Sequence, residues 1–150
     1  MINIMFVCHG NICRSTMAEF VLKDMVAKLG IQDEFHIESS ATSREEIGNP
    51  VHYGTRNKLR EHGISTEGKY AVQLTKKDYD DYDYLIAMDS YNIRNMAKII
   101  GDDPHKKVYK LLDFCNGGDI ADPWYTGNFD ITYDDVKRGC EGLLKHLRKI

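Results

Sequence analysis

Ile2-Asn3-Ile4-Met5-Phe6-Val7 is a short apolar run of strand type, and Cys8-His9-Gly10-Asn11-Ile12-Cys13-Arg14-Ser15 follows it directly. Beyond that stretch the pattern changes to helical spacing, with apolar residues at Ala18, Val21, Leu22, Met25, Val26 and Leu29. A buried strand thus runs through a glycine-bearing loop into the start of a helix. In that geometry successive backbone N–H groups point inward and the positive end of the helix faces the same point, which makes a cradle for an anion.

Two side chains make the cradle a candidate reaction centre. Cys8 lies at the strand exit and Arg14 at the helix entry, with five residues between them. A thiol ringed by N–H donors beside a guanidinium favours its thiolate, the nucleophilic form. Arg14 offers a planar fork that matches two oxygens of a phosphate. Ser15 can donate a hydroxyl hydrogen bond to the thiolate and make that sulfur a better leaving group in a second step. Asn11 suits a loop brace, because its amide bonds backbone groups and tolerates unusual dihedrals. By itself a Cys and an Arg at this spacing is a common accident. The strand before, the helix after, and Gly10, Asn11 and Ser15 between them are the context that gives it meaning.

The stretch Val7-Cys8-His9-Gly10-Asn11-Ile12-Cys13-Arg14-Ser15 resembles the signature of the low-molecular-weight protein tyrosine phosphatases. Its N-terminal position and the chain length of 150 residues fit as well. The resemblance implies an α/β three-layer sandwich, with four parallel strands in the order 2-1-3-4 and helices on both faces. It also implies hydrolysis of phosphotyrosine through a phosphocysteine intermediate.

Composition bounds the alternatives. A chain of 150 residues is expected to form one domain with a sizeable core. A formal net charge of -3, with no long block of one sign, argues against a nucleic-acid module. Asp78, Asp80, Asp81 and Asp83, interleaved with tyrosines, read as a solvated turn before a strand. No stretch approaches the roughly 18 apolar residues of a membrane span. The N-terminal apolar run is short and no basic segment precedes it, so no signal peptide is expected and the location is expected to be cytoplasmic. Cys8, Cys13, Cys115 and Cys140 fit neither a disulfide framework nor a zinc site. Cys13 reads either as a small buried loop residue or as a thiol that resolves an oxidised Cys8, and the resemblance favours the second.

Along the chain, strands and helices alternate, which predicts a parallel sheet covered on both faces. Gly30 ends the first helix. Phe35 to Ser39 reads as the second strand and Ser40 to Pro50 as a polar loop on the rim that carries Cys8. Asn49-Pro50 reads as a helix cap and first helical residue, with the helix running to His62. Thr75 to Asp81 suggests a helical turn and Tyr82 to Met88 the third strand. Asp89 can cap the next helix, whose apolar face is Ile93, Met96, Ala97 and Ile100. Val108 to Leu112 reads as the fourth strand, and a Gly- and Asp-rich loop reaches Phe129. The last helix is expected to begin near Thr132, with Asp135 completing a box-like start.

Expelling an alkoxide or phenoxide from a phosphoester needs a proton, and a placed carboxylic acid is worth about 10²–10⁴-fold. Asp113, Asp119 and Asp122 all follow the fourth strand. Asp122 stands out because Pro123 stiffens its surroundings and Trp124 and Tyr125 follow it. Read alone, Asp-Pro is equally a turn. Asp122-Pro123-Trp124-Tyr125 resembles the general-acid segment of the family, which implies that Asp122 is acid and then base and that Trp124 and Tyr125 wall the entrance against a phenyl ring. The resemblance also assigns Ser39 to loop support and matches Asp89 and Asn92. His9, beside Cys8 but not aimed at it, reads as a rim residue that touches substrate. The other histidines, His52 among them, read as structural or surface residues. The backbone of Gly10, Asn11, Ile12, Cys13 and Ser15 completes the substrate cradle. No metal or cofactor is expected, because the cradle itself neutralises a dianion. The expected partners are a phosphotyrosine protein or small aryl phosphate, with inorganic phosphate as product, and neither nucleic acid nor membrane.

The sequence departs from the family in two places. Many members carry an aromatic in the loop after the second strand, where this chain has Arg44-Glu45-Glu46, so that wall is polar and Glu45 lies at the substrate mouth. Many also carry a His before a Gln-x-Thr stretch, where this chain reads Gly68-Lys69-Tyr70-Ala71-Val72-Gln73-Leu74-Thr75. Three other functions share the features read so far. A thioredoxin-coupled arsenate reductase needs two further thiols close together. A protein-arginine phosphatase of this fold typically has Thr where Ile12 stands. A non-enzymatic anion-binding module would be expected to lose Cys8, Arg14 or Asp122.

Overall fold

The computed structural model describes residues 1–150. Its centre is a four-stranded sheet in the order β2-β1-β3-β4, built from β1 (Ile2–Cys8), β2 (Phe35–Ala41), β3 (Tyr84–Ala87) and β4 (Val108–Lys110). Every pairing is parallel, with Cys8 opposite Ala41 and Val7 opposite Ala87. The strand order and the parallel sense are those implied by the resemblance.

Alternation along β1 divides the core in two, because successive side chains of a strand point to opposite faces. Ile4, Phe6 and Cys8 join Met17, Leu22 and Val26 of α1 (Arg14–Lys28) and Val136, Cys140 and Leu143 of α6 (Phe129–His146). Met5 and Val7 face the other way, onto Tyr79 of α3 (Asp78–Asp81) and Met96 and Ile100 of α4 (Ser90–Ile100). Helices therefore cover both faces. α2 (Tyr53–Glu61) flanks α1, and the one-turn α5 (Pro123–Thr126) lies in the loop between β4 and α6. No helix is long and apolar enough to cross a membrane.

Several boundaries differ from the sequence reading. α2 starts at Tyr53, not Pro50, and its cap is His52, whose Nδ1 accepts from Gly54 N–H at 3.1 Å. Residues before it are claimed by tertiary pairing. Pro50 forms a bridge with Tyr70, and Ala71 N–H donates to Asn49 O at 2.9 Å. β4 ends at Lys110 because Leu111–Phe114 tighten into a 3-10 turn. α6 begins at Phe129 with Asn128 as its cap, one turn ahead of Thr132. The Asn128 side chain accepts from Ile131 N–H at 3.1 Å, which takes the role expected of the Asp135 start. The polar Asp78 turn has one buried member, Tyr79, whose hydroxyl donates to Asp103 at 2.6 Å.

Two glycines let α6 lie against the 3-10 turn that leads to the Asp122 loop. A Cβ on Gly142 would sit 2.1 Å from the Phe114 carbonyl oxygen, a backbone atom that cannot swing aside. A Cβ on Gly139 would sit 2.4 Å from Leu111 Cγ, a side-chain atom that has to shift but, unlike a backbone carbonyl, can turn about its own bonds. Alanine ordinarily stabilises a helix interior by about 1 kcal/mol over glycine. Here the clash reverses the sign. Gly142→Ala is expected to cost about 2 kcal/mol and lower Tm by roughly 4–8 °C in thermal unfolding. Gly139→Ala is expected to lose less, and an unchanged or raised Tm for Gly142→Ala would contradict this packing.

Candidate active site

Strand β1 delivers Cys8 to its carboxyl end, and the following loop turns back over it. Asn11 makes that turn at φ 58, in the left-handed region where Asn is among the tolerated residues. Its N–H donates to Cys8 Sγ at 3.3 Å. Its side chain is buried, with both amide hydrogens and the carbonyl oxygen engaged. Nδ2 donates to Ser15 Oγ at 2.8 Å and to Ser39 Oγ at 2.9 Å, while Oδ1 accepts from Val72 N–H at 3.2 Å. Because Asn11 occupies a lone pair of Ser15, the Ser15 hydroxyl proton is available to the sulfur, 3.0 Å away.

Below this loop lies a charged layer that the sequence reading missed. Ser39 Oγ donates to Glu19 Oε1 at 2.5 Å, and Glu19 is 1% exposed. Lys69 Nζ sits 3.3 Å from the same oxygen and donates to Ser39 O at 2.8 Å. Lys23 donates to the second oxygen at 2.6 Å. A signal was present in the sequence: Glu19 falls between Ser15 and Leu22 on the buried stripe of α1, and a carboxylate there requires a cation. Lys69 stands within the stretch where the family's usual His is absent.

Arg14 opens α1 and is 2% exposed. Its Nη1 donates to Asp89 Oδ2 at 2.6 Å and to Ile120 O at 2.8 Å. Nη2 lies 3.4 Å from Asp122 Oδ2. Both Nη1 hydrogens are therefore spent on the protein, leaving Nε and a hydrogen of Nη2 for a bound oxyanion. Burial opposes the guanidinium charge, but Cys8, the Asp89 hydrogen bond and Asp122 outweigh it and raise its proton affinity above the ordinary value. Asp89 caps α4 as expected, accepting from Asn92 N–H at 2.7 Å, and with its other oxygen it also aims Arg14.

Asp122 caps α5, its Oδ1 accepting from Trp124 N–H at 3.0 Å. The loop is pinned by Ile120, whose N–H donates to Met88 O at 2.9 Å. Trp124 is 57% and Tyr125 84% exposed, so they stand beside the carboxylate rather than enclosing it. Trp124 meets His52 edge-on at 5.5 Å, and His52 stacks on Phe129 at 5.4 Å. His52, read as structural, is both the α2 cap and the prop behind this wall. Burial lowers its proton affinity and so keeps it neutral more readily than a free imidazole.

One cavity of about 130 Å³ joins these groups. It is lined by Cys8, His9, Gly10, Ile12, Cys13, Arg14, Glu45, Glu46, Asp122, Trp124 and Tyr125. Ser15, Asn11, Ser39 and Asp89 stand behind the lining. Asp113 and Asp119 bond Lys110 instead, through its N–H and its Nζ. His9 pairs with Glu45 at 2.7 Å, on the rim and away from the sulfur.

Cys13 and Cys140 are both held as thiols by their surroundings. Burial, then the Cys8 charge, pushes the Cys13 thiol up to about 12, and burial raises Cys140 as well. Both should stay protonated at neutral pH. In a brief iodoacetamide treatment mapped by mass spectrometry, Cys8 and the exposed Cys115 are expected to be labelled, with Cys13 and Cys140 spared. Rapid labelling of Cys13 would contradict the reading.

The model of the family described as low molecular weight phosphotyrosine protein phosphatase matches residues 3–150. The low molecular weight protein-tyrosine-phosphatase YfkJ of Bacillus subtilis is 43% identical over 99% of this chain and 97% of its own length. The crystal structure of YfkJ superposes with a TM-score of 0.95 at 42% identity, covering 99% of this chain and 96% of that one. A low molecular weight protein tyrosine phosphatase from Streptococcus pyogenes superposes with a TM-score of 0.89 at 41% identity, over 98% and 93% of the two chains.

Proposed function

This chain belongs to the low molecular weight phosphotyrosine protein phosphatase family and is a protein-tyrosine phosphatase, and on that premise we propose how its residues divide the reaction. The observation that carries the assignment is a single cavity holding Cys8, Arg14 and Asp122 together. Residues 1–150 act as one phosphatase domain.

A phosphotyrosine dianion enters with its oxygens on the loop N–H groups and on the free edge of Arg14. Cys8 Sγ attacks phosphorus, the bond from phosphorus to the phenolic oxygen breaks, and Asp122 gives that oxygen its proton. Tyrosine leaves and a phosphocysteine remains. Asp122, now a carboxylate, takes a proton from water as the water oxygen attacks phosphorus. The bond between sulfur and phosphorus breaks, and the departing thiolate receives the Ser15 and Asn11 hydrogen bonds. Preorganised donors stabilise charge where it develops, and here they are fixed by the Asn11 and Asp89 contacts.

Ile12 lends an apolar surface to the cavity, which suits a phenyl ring and offers no hydroxyl to orient a guanidinium. An arsenate relay would need two accessible downstream thiols close together, whereas Cys140 is sealed in the core. A nucleophile that must stay reduced suits the cytoplasm, and that location is part of the proposal. Phosphotyrosine and phosphoarginine peptides of one sequence, assayed side by side for released phosphate, test the substrate class. Turnover is expected from the phosphotyrosine peptide, and faster release from phosphoarginine would contradict it.

A further inference from the structure

The cavity mouth has two unlike walls from two different loops. The loop after β4 supplies Trp124 and Tyr125, and the loop after β2 supplies Glu45 and Glu46. Arg14 is the one permanent cation in the lining, and it lies at the base, 2% exposed and already faced by Asp89 and Asp122. The neighbouring Arg44 turns outward, donating to Gln73 at 3.4 Å. The lip therefore carries two carboxylates with no permanent cation beside them. Glu45 is wide open, its side chain 69% exposed.

This lip is held in place. Ser43 donates to His9 O through both its N–H and its hydroxyl, at 3.0 and 2.9 Å. Thr42 N–H donates to Cys8 O at 2.9 Å. Glu45 Oε2 pairs with His9, and Glu46 Oε2 accepts from Asn49 at 2.5 Å, which leaves the Oε1 of each residue without a protein partner. Glu46 also leans over the cradle, its Cγ 3.3 Å from where a Cβ on Gly10 would sit. Little side-chain freedom has to be given up for these carboxylates to meet an incoming cation.

We propose that Glu45 and Glu46 select phosphotyrosine flanked by lysine or arginine, the basic side chain settling on the acidic lip as the phosphoryl group enters the cradle and the ring meets the Trp124 wall. The proposal rests on the phosphotyrosine reading above and adds the neighbouring residues to it. Neither carboxylate has a part in the bond-breaking steps set out above, so the preference acts on capture and falls in kcat/KM more than in kcat. Exposed pairs are worth up to about fivefold each and fade with salt beyond a Debye length of about 10 Å at 0.1 M.

The test uses the full chain and two phosphotyrosine peptides identical except at the flanking positions, Lys or Arg in one and Glu or Asp in the other. At low salt the kcat/KM ratio is expected to favour the basic peptide by about tenfold and to shrink as salt is added. In the Glu45→Gln/Glu46→Gln variant it is expected to fall to about twofold, with the ratio read within one preparation so that any loss of folded protein cancels. A wild-type ratio near one, or a ratio the double variant preserves, overturns the proposal. If p-nitrophenyl phosphate is hydrolysed and neither peptide is, the phosphotyrosine reading fails and takes the proposal with it.

Discussion

Cys8→Ser is expected to reduce phosphotyrosine hydrolysis by at least about 10⁴-fold while leaving the fold intact. Sulfur and oxygen occupy the same buried place at the end of β1, 3% exposed, and the Asn11 N–H and Ser15 hydroxyl still find a partner there. A serine hydroxyl, however, is not ionised near neutral pH and nothing in the cradle is positioned as a base for it. His9, the nearest imidazole in sequence, is engaged with Glu45 on the rim. The variant should therefore still bind a phosphotyrosine peptide, because Arg14 and the loop N–H groups are unchanged. Steady-state assay beside calorimetric titration checks both halves. Residual turnover above a tenth of wild type would remove Cys8 from the role of nucleophile.

Asp122→Asn carries the second large effect, a loss of about 10²–10³-fold in kcat for a phosphotyrosine peptide or phenyl phosphate. Asparagine can still accept from Trp124 N–H and cap α5, so the loop should stay in place. It cannot give a proton to a phenoxide. The loss should be much smaller in the first step with p-nitrophenyl phosphate, whose leaving group needs little protonation. The second step loses its base with either substrate, so with p-nitrophenyl phosphate, whose first step is spared, the phosphocysteine should accumulate in the variant. Equal and small losses with both leaving groups would place the acid elsewhere.

The part of this site that the sequence reveals is the part in which local pattern and chemistry coincide. Cys8 to Ser15 is one continuous stretch whose change of period marks strand, loop and helix, and Asp122-Pro123 reads alone as a turn and through the resemblance as the acid segment. Asp89 is legible as a cap because it stands just before the apolar face of the next helix. Its 2.6 Å contact with Arg14 is not, because that pair is 75 positions apart in the chain. A long separation in sequence likewise hid the Glu19–Lys69 layer beneath Ser39. At Asn49-Pro50 the local cap signal was outweighed by pairing with Tyr70 and Ala71, which holds the loop extended until His52. The start of α6 moved for a similar reason. Phe129 belongs to the helix because its ring packs over Gly54, where a Cβ would come within 2.3 Å of it, and on His52.

The claim on which the account depends is a covalent bond between phosphorus and Cys8 during turnover. p-Nitrophenyl phosphate radiolabelled in its phosphoryl group, mixed rapidly with the Asp122→Asn variant, quenched in acid and digested, measures it directly. The account predicts label on the peptide that contains Cys8, absent when Cys8→Ser is added and discharged to inorganic phosphate on longer incubation. Label on another residue, or full turnover with no labelled peptide at any time, would contradict it.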